Sequence, residues 1–126
     1  MTRDRVQAFV RSERGVSAVE LAILGPVYLT LLLGVIQGSL LIFTQANLHY
    51  AVQKGVRCTA LQDSGCPSPA SYYVAPGAAP VFTATQQTCG QALTATVTYT
   101  LSVVLYQTTI PLSATSCFPN IKGVGA

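Results

Sequence analysis

One stretch limits what this chain can become. From Leu21 to Phe43 the sequence runs 23 residues without a charged side chain. At about 1.5 Å per residue a helix over this run is about 34 Å long, enough to cross a hydrocarbon core of about 30 Å. In lipid every backbone N–H and C=O must be satisfied within the segment, which makes the helix the expected conformation. A single carboxylate, Glu20, stands immediately before the run. Gly15 lies five positions earlier, behind a basic leader.

Composition agrees. Half of the 126 residues are hydrophobic and 9% are charged, against about a quarter charged in an ordinary soluble domain. The net charge of +3 is not a nucleic-acid signature. Arg3, Arg5, Arg11 and Arg14 precede the run, offset by Asp4 and Glu13; from Val16 onward Lys54, Arg57 and Lys122 face Glu20 and Asp63. That leaves no basic patch to neutralise phosphates.

Three regions follow in chain order. Residues 1–15 read as a polar, basic cytoplasmic leader. The following apolar run is too long for the core of an ordinary secretory signal peptide. Residues 16–62 read as one long helix with a membrane span at about 21–43. Pro26 removes a backbone donor and predicts a bend near Ala22. Gly34 and Gly38 form a Gly-x-x-x-Gly spacing, which either permits close helix approach or reflects how common glycine is in membrane helices. Beyond Phe43, Ala46, Leu48, Ala51, Val52, Gly55, Val56 and Thr59 recur at three- and four-residue steps. This predicts an amphipathic continuation of the helix, with His49 on its polar face.

Residues 63–126 read as a small extracytoplasmic β domain of three or four short strands. The clearest signal is Leu93 to Leu105, apolar at odd positions and Thr or Ser at even ones from 94 to 102. Val81 to Thr85 predicts a weak strand and Tyr72-Tyr73-Val74 a short one. Gln107-Thr108-Thr109 reads as a turn. Ile110 to Phe118 reads as a return strand that Pro111 suits to an edge. The fold class expected is thus α+β, a long N-terminal helix followed by a small antiparallel sheet.

The four cysteines, Cys58, Cys66, Cys89 and Cys117, all follow the run. Arginine-rich flanks stay cytoplasmic, which puts the cysteines on the oxidising side and predicts disulfides. Four cysteines allow three pairings. Cys66–Cys89 with Cys58–Cys117 is the expected one, with a bridge tying helix to sheet. Intervals of 7, 22 and 27 intervening residues, with no CxxC, argue against a metal site.

No catalytic set is evident. Beyond the span the one carboxylate side chain is Asp63, the one histidine is His49, and no phosphate-binding glycine loop is present. The expectation is a protein that is not an enzyme, with no cofactor, metal, nucleic acid or small-molecule substrate.

Glu20 is the residue a plain anchor does not need. A charge well inside hydrocarbon costs about 2.5–3.5 kcal/mol, less at the first turn where it reaches the interface. One reading is an interfacial residue favoured by the positive end of the helix. The other assumes cleavage after Gly15. Val16 then becomes the amino terminus, four residues from Glu20 on the same helix face. Its α-amino group, with a pKa of about 7.7–8.0, could pair with that carboxylate or a neighbouring subunit's.

Arg14-Gly15 followed by Val16-Ser17-Ala18-Val19-Glu20 resembles the prepilin-peptidase site of type IV pilin-like proteins. The stretch RGVSAVELAILGPVYLTLLLGVIQ is similar to the TadE-like minor pseudopilins of the tight-adherence (Tad/Flp) pilus system. The likeness is specific over about residues 14–50 and looser beyond; the chain departs from the pattern at Leu21, where members often carry Tyr or Phe. The resemblance implies a pilin-like fold, cleavage between Gly15 and Val16, and an assembly role for Glu20. It also implies helix packing among subunits and a part in priming, assembling or capping the pilus. The partners implied are the prepilin peptidase, the major pilin, other minor pseudopilins and the inner-membrane assembly platform. The location implied is the bacterial inner membrane, with the amino terminus cytoplasmic, and the extracellular pilus after assembly. The alternative is an uncleaved signal-anchor protein whose ectodomain binds an envelope partner.

Overall fold

The computed structural model describes residues 14–61, 64–103 and 106–120. Most of the leader, the expected helix end at Gln62, Asp63, Leu105 and the tail from Lys122 lie outside the described residues. The order of elements is helix α1 (Arg14–Leu61), a 3-10 turn (Pro69–Tyr72), and strands β1 (Val81–Gln87), β2 (Gly90–Val103) and β3 (Tyr106–Phe118). The chain is α+β, a long N-terminal helix followed by a three-stranded antiparallel sheet in the order β1-β2-β3. It divides into two compact units, residues 1–36 and 37–126.

In the first unit the described chain is helix throughout, and Pro26 falls inside that helix without ending it. From Ser17 to Ile36 every side chain is exposed, apart from the half-buried Gly25. Leu21 is 74% exposed. Thr30 donates its hydroxyl to the Val27 carbonyl at 2.9 Å, so its polar group is satisfied within the helix.

The second unit packs residues 37–61 of α1 on the sheet. The buried helix positions are Thr44, Leu48, Ala51, Val52, Gly55, Val56 and Ala60, spaced at one, three and four residues as a helix stripe requires. Ala46 and Thr59, expected on that stripe, are exposed. Ala46 stands more than about 100° from its centre line, whereas Thr59 is close to that line but in the last turn of the helix, its hydroxyl donated to the Gly55 and Val56 carbonyls; Thr44 and Ala60 extend the stripe. Thr44 is buried without penalty because its hydroxyl donates to the Leu40 carbonyl at 2.8 Å. Leu48, Val52 and Val56 meet Leu93, Ala95, Val97 and Ala114 to form the core. A Cβ on Gly55 would stand 2.7 Å from Leu93 Cδ2 and 2.9 Å from Pro69 Cβ, so the absence of a side chain here lets the helix approach these residues closely.

The alternation in β2 is observed. Leu93, Ala95 and Val97 are buried, while Thr96, Thr98 and Thr100 are exposed. β3 is an edge strand, and Pro111 on it faces Thr98. Three local expectations are corrected. Gln107-Thr108-Thr109 is not a turn: these residues pair with Ser102, Leu101 and Thr100, and the reversal falls between Val103 and Tyr106. Tyr72 ends a 3-10 turn and Tyr73 follows it outside any strand. Proline opens that turn, and Ser71 bonds Ser68 through both backbone and hydroxyl. β1 runs two residues further, to Gln87, because Gln86 and Gln87 pair with Gln91 and Gly90.

The disulfides are Cys58–Cys66 and Cys89–Cys117, which corrects the expected pairing. Cys58 is tied to the loop that leaves its own helix, and Cys89 in the β1–β2 turn is tied to the end of β3. Each cysteine bonds the one that the local chain reversal or strand register brings beside it; no disulfide joins α1 to the sheet. Among the described residues half of the ten buried apolar side chains are alanine, so the core is thin and staples matter. Loop closure over 28 residues contributes about 3–4 kcal/mol in the chain-entropy picture, and over 8 residues about 2–3 kcal/mol.

Candidate functional site

The candidate site is the surface of α1 rather than a cleft. Gly15 and Val16 are within the helix, and Glu20 follows in it, exposed. Residues 16 and 20 are four apart in one continuous helix and therefore share a face. The apolar surface begins directly after the carboxylate, with Leu21, Ile23 and Leu24 all exposed. Among the described residues α1 is the one helix long and apolar enough to cross a membrane.

Gly34 and Gly38 have open space around them: a Cβ on either would meet nothing within 4 Å. Among the described residues nothing packs against this spacing, which leaves it available to another helix. Pro26 sits in unbroken helix beside Gly25, whose surroundings are open too.

The sequence drew no attention to Gln37, the lone amide in the apolar run. The Tyr99 hydroxyl donates to Gln37 Oε1 at 3.1 Å. A second link of this kind runs from Gln45 Nε2 to the Ser113 carbonyl at 3.0 Å. These two bonds orient helix and sheet where no disulfide does. An isolated amide inside an apolar stretch was the available signal, since such a group needs a partner.

Groups with chemical potential elsewhere are few among the described residues. His49 is exposed, with Nε2 3.1 Å from Gln45 Nε2. All four cysteines are in disulfides. Two grooves, of about 330 and 130 Å³, are lined by Ala, Val, Leu, Pro, Gly, Thr, Ser and Tyr, none an acid or base near neutral pH. The Tyr73 hydroxyl is buried with no partner among the described residues. Burial pushes its pKa above the ordinary tyrosine value.

No curated protein matches this chain, and no solved structure matches it. The helix is where the likeness to known proteins resides: residues 15–57, from the glycine before Val16 to just past Val56 of the sheet-packing stripe, match the model of the TadE-like protein family.

Proposed function

We propose that this protein is a minor pseudopilin of a Tad-type pilus, made as an inner-membrane precursor and cut by a prepilin peptidase between Gly15 and Val16. The observation that carries this reading is the helix itself. One continuous element from Arg14 to Leu61 joins a Gly–Val junction, a carboxylate five residues on, an exposed apolar surface and a folded domain. The TadE-like match covers most of it.

In the precursor the apolar run holds the chain in the bilayer, with the arginine-rich leader cytoplasmic and the sheet on the opposite side. Cleavage creates an α-amino group on the face that carries Glu20. Within a low-dielectric bundle of helices that pair is far stronger than in water, and it sets the axial register of an entering subunit. The mature helix then exchanges lipid for the helices of the major pilin and other minor pseudopilins, with Gly34 and Gly38 allowing close approach. Its role is structural, in priming or supporting the fibre on the assembly platform, without catalysis or a cofactor. The carboxyl-terminal sheet, with its uncharged threonine-rich face, suits packing against protein.

The test is a pair of variants in cells that carry the pilus system. Gly15→Leu is expected to leave the precursor uncut. Glu20→Ala is expected to be inserted and cut normally but to be missing from, or to abolish, sheared pili. Glu20→Gln behaving as wild type in piliation would remove the assembly role from Glu20.

A further inference from the structure

The three-stranded sheet has two outer edges, and they are not alike. A two-residue reversal joins Gln87 to Gly90, so these two form a hydrogen-bonded pair and bonded pairs recur at every second row: Thr85 with Ala92, Thr83 with Thr94, and Val81 with Thr96. The pairing of Val103 with Tyr106 sets the same alternation from the other end of β2. The backbone N–H and C=O of Phe82, Ala84 and Gln86 therefore point away from the sheet on the β1 side. On the β3 side the outward residues are the odd-numbered ones from Gln107 to Cys117.

The β3 edge is blunted. Pro111 is in its outward set, so it costs no ladder bond and leaves the edge without a donor there. The Ser113 carbonyl, next in that set, already accepts from Gln45 at 3.0 Å. β1 carries none of the devices that keep an edge from pairing. Val-Phe-Thr-Ala-Thr-Gln-Gln has no charge, proline or glycine, and its register runs unbroken over all seven residues. Six of the seven are exposed, and among the described residues no backbone bond from outside the sheet reaches them. β2 beyond Thr96 is not offered in the same way, because Gly77 and Ala78 stand beside it and line a groove with Thr98 and Thr100.

We infer that the outer edge of β1 is a strand-addition site for an uncharged, extended segment of another protein. Donors and acceptors that recur at every second residue, about 6.8 Å apart, are matched by an extended backbone, which adds as a fourth strand. The side chains set the chemistry of that segment. Val81 and Phe82 stand at one end, Gln86 and Gln87 at the other, with threonines between. An antiparallel segment with amide or hydroxyl side chains first and aliphatic ones last meets like with like. A full-length antiparallel pairing of two β1 strands sets Val81 opposite Gln87 and Phe82 opposite Gln86 at both ends, so a second copy is the poorer fit. The segment is uncharged because the strip offers no counter-charge: no charged side chain occurs from Ser64 to Ile121. The site lies wholly within the unit 37–126 and stands independently of the span and of cleavage at Gly15.

The probe is a synthetic peptide copying Gln91–Val97, blocked at both ends, which has the required order of side chains. It is added at millimolar concentration to the full-length protein in detergent micelles, and backbone amide exchange is followed residue by residue by NMR. Without peptide, the amides of Phe82, Ala84 and Gln86 are expected to exchange at least about 100-fold faster than those of Thr83 and Thr85. With peptide they should slow about tenfold or more. The same peptide N-methylated at every residue should protect none of them. Ala84→Pro removes an outward donor and no β1–β2 bond, so it should keep the circular dichroism of the sheet and lose the protection at Phe82 and Gln86. The methylated peptide decides the point whether or not that variant folds. Absence of protection by the unmodified peptide would overturn the inference, and so would equal protection by the methylated one. Protection that is present without peptide and rises with protein concentration would assign the edge to a second copy and overturn it too.

Discussion

Residues 17–36 and residues 44–60 lie on one helix and use apolar side chains in opposite ways. In the first stretch large aliphatic residues are spread around the helix and all are exposed, Leu29, Leu31 and Val35 among them. In the second they form a stripe, with Leu48, Val52 and Val56 sealed against the sheet and Gln53, Lys54 and Arg57 exposed. A helix that is hydrophobic all round is built for an apolar surround, whereas a striped one is built for a core on one side and water on the other. The same secondary structure is thus stabilised by two environments, and the change falls in the span of about 37–43.

Substitutions can break this contrast, and the largest difference should come from matched leucines. Leu48→Ala is expected to lower the stability of the sheet unit by about 2–5 kcal/mol, through lost burial and a residual cavity. Leu31→Ala should change it by less than about 0.5 kcal/mol, since its side chain is exposed. Thermal unfolding in detergent micelles, followed by the circular dichroism of the sheet, reads both. Equal effects would mean that the two stretches are not distinct.

The glycines sharpen the same contrast at smaller scale. Gly55→Ala places a methyl group against Leu93 and Pro69 and should cost about 1–3 kcal/mol. Gly34→Ala has open space and should leave the unfolding midpoint unchanged or slightly higher, because alanine is the better helix former by up to about 1 kcal/mol. Its effect is expected instead in piliation, where another helix would meet the new methyl group.

The smallest effect is at Tyr73. Its folded-state pKa is raised by burial, so the native state keeps the phenol neutral while the unfolded chain ionises. Stability is unaffected below about pH 10, the unfolded value, and falls as pH rises from there toward the higher folded value, because the native state then binds the extra proton. Tyr73→Phe should flatten that alkaline limb. At pH 7 it should alter stability by about 1 kcal/mol or less, since the hydroxyl has no partner to lose among the described residues. Urea titrations at pH 7 and above pH 10 distinguish the two behaviours.

Much of this was legible in the residues. The length of α1 and the alternation of β2 are periodic signals that tertiary contacts reinforce. The disulfide pairing was not legible, because it depends on which chain reversal sets which cysteine beside another. The reversal between Val103 and Tyr106 was hidden for a related reason. Polar Gln107-Thr108-Thr109 carries turn chemistry, yet the register continues through it to the Val103–Tyr106 pair. In the candidate site, the order of Gly15, Val16 and Glu20 could be read directly. The Tyr99–Gln37 bond could not, since it joins residues 62 apart in sequence.

The central claim is that the helix is first an anchor and then, after a cut, an assembly surface. N-terminal sequencing of the membrane-bound protein, from cells that contain the prepilin peptidase, tests it most directly. The account predicts a mature chain beginning Val16-Ser17-Ala18-Val19-Glu20. A chain that keeps Met1 and the leader in those cells would contradict it and leave an uncleaved signal-anchor protein.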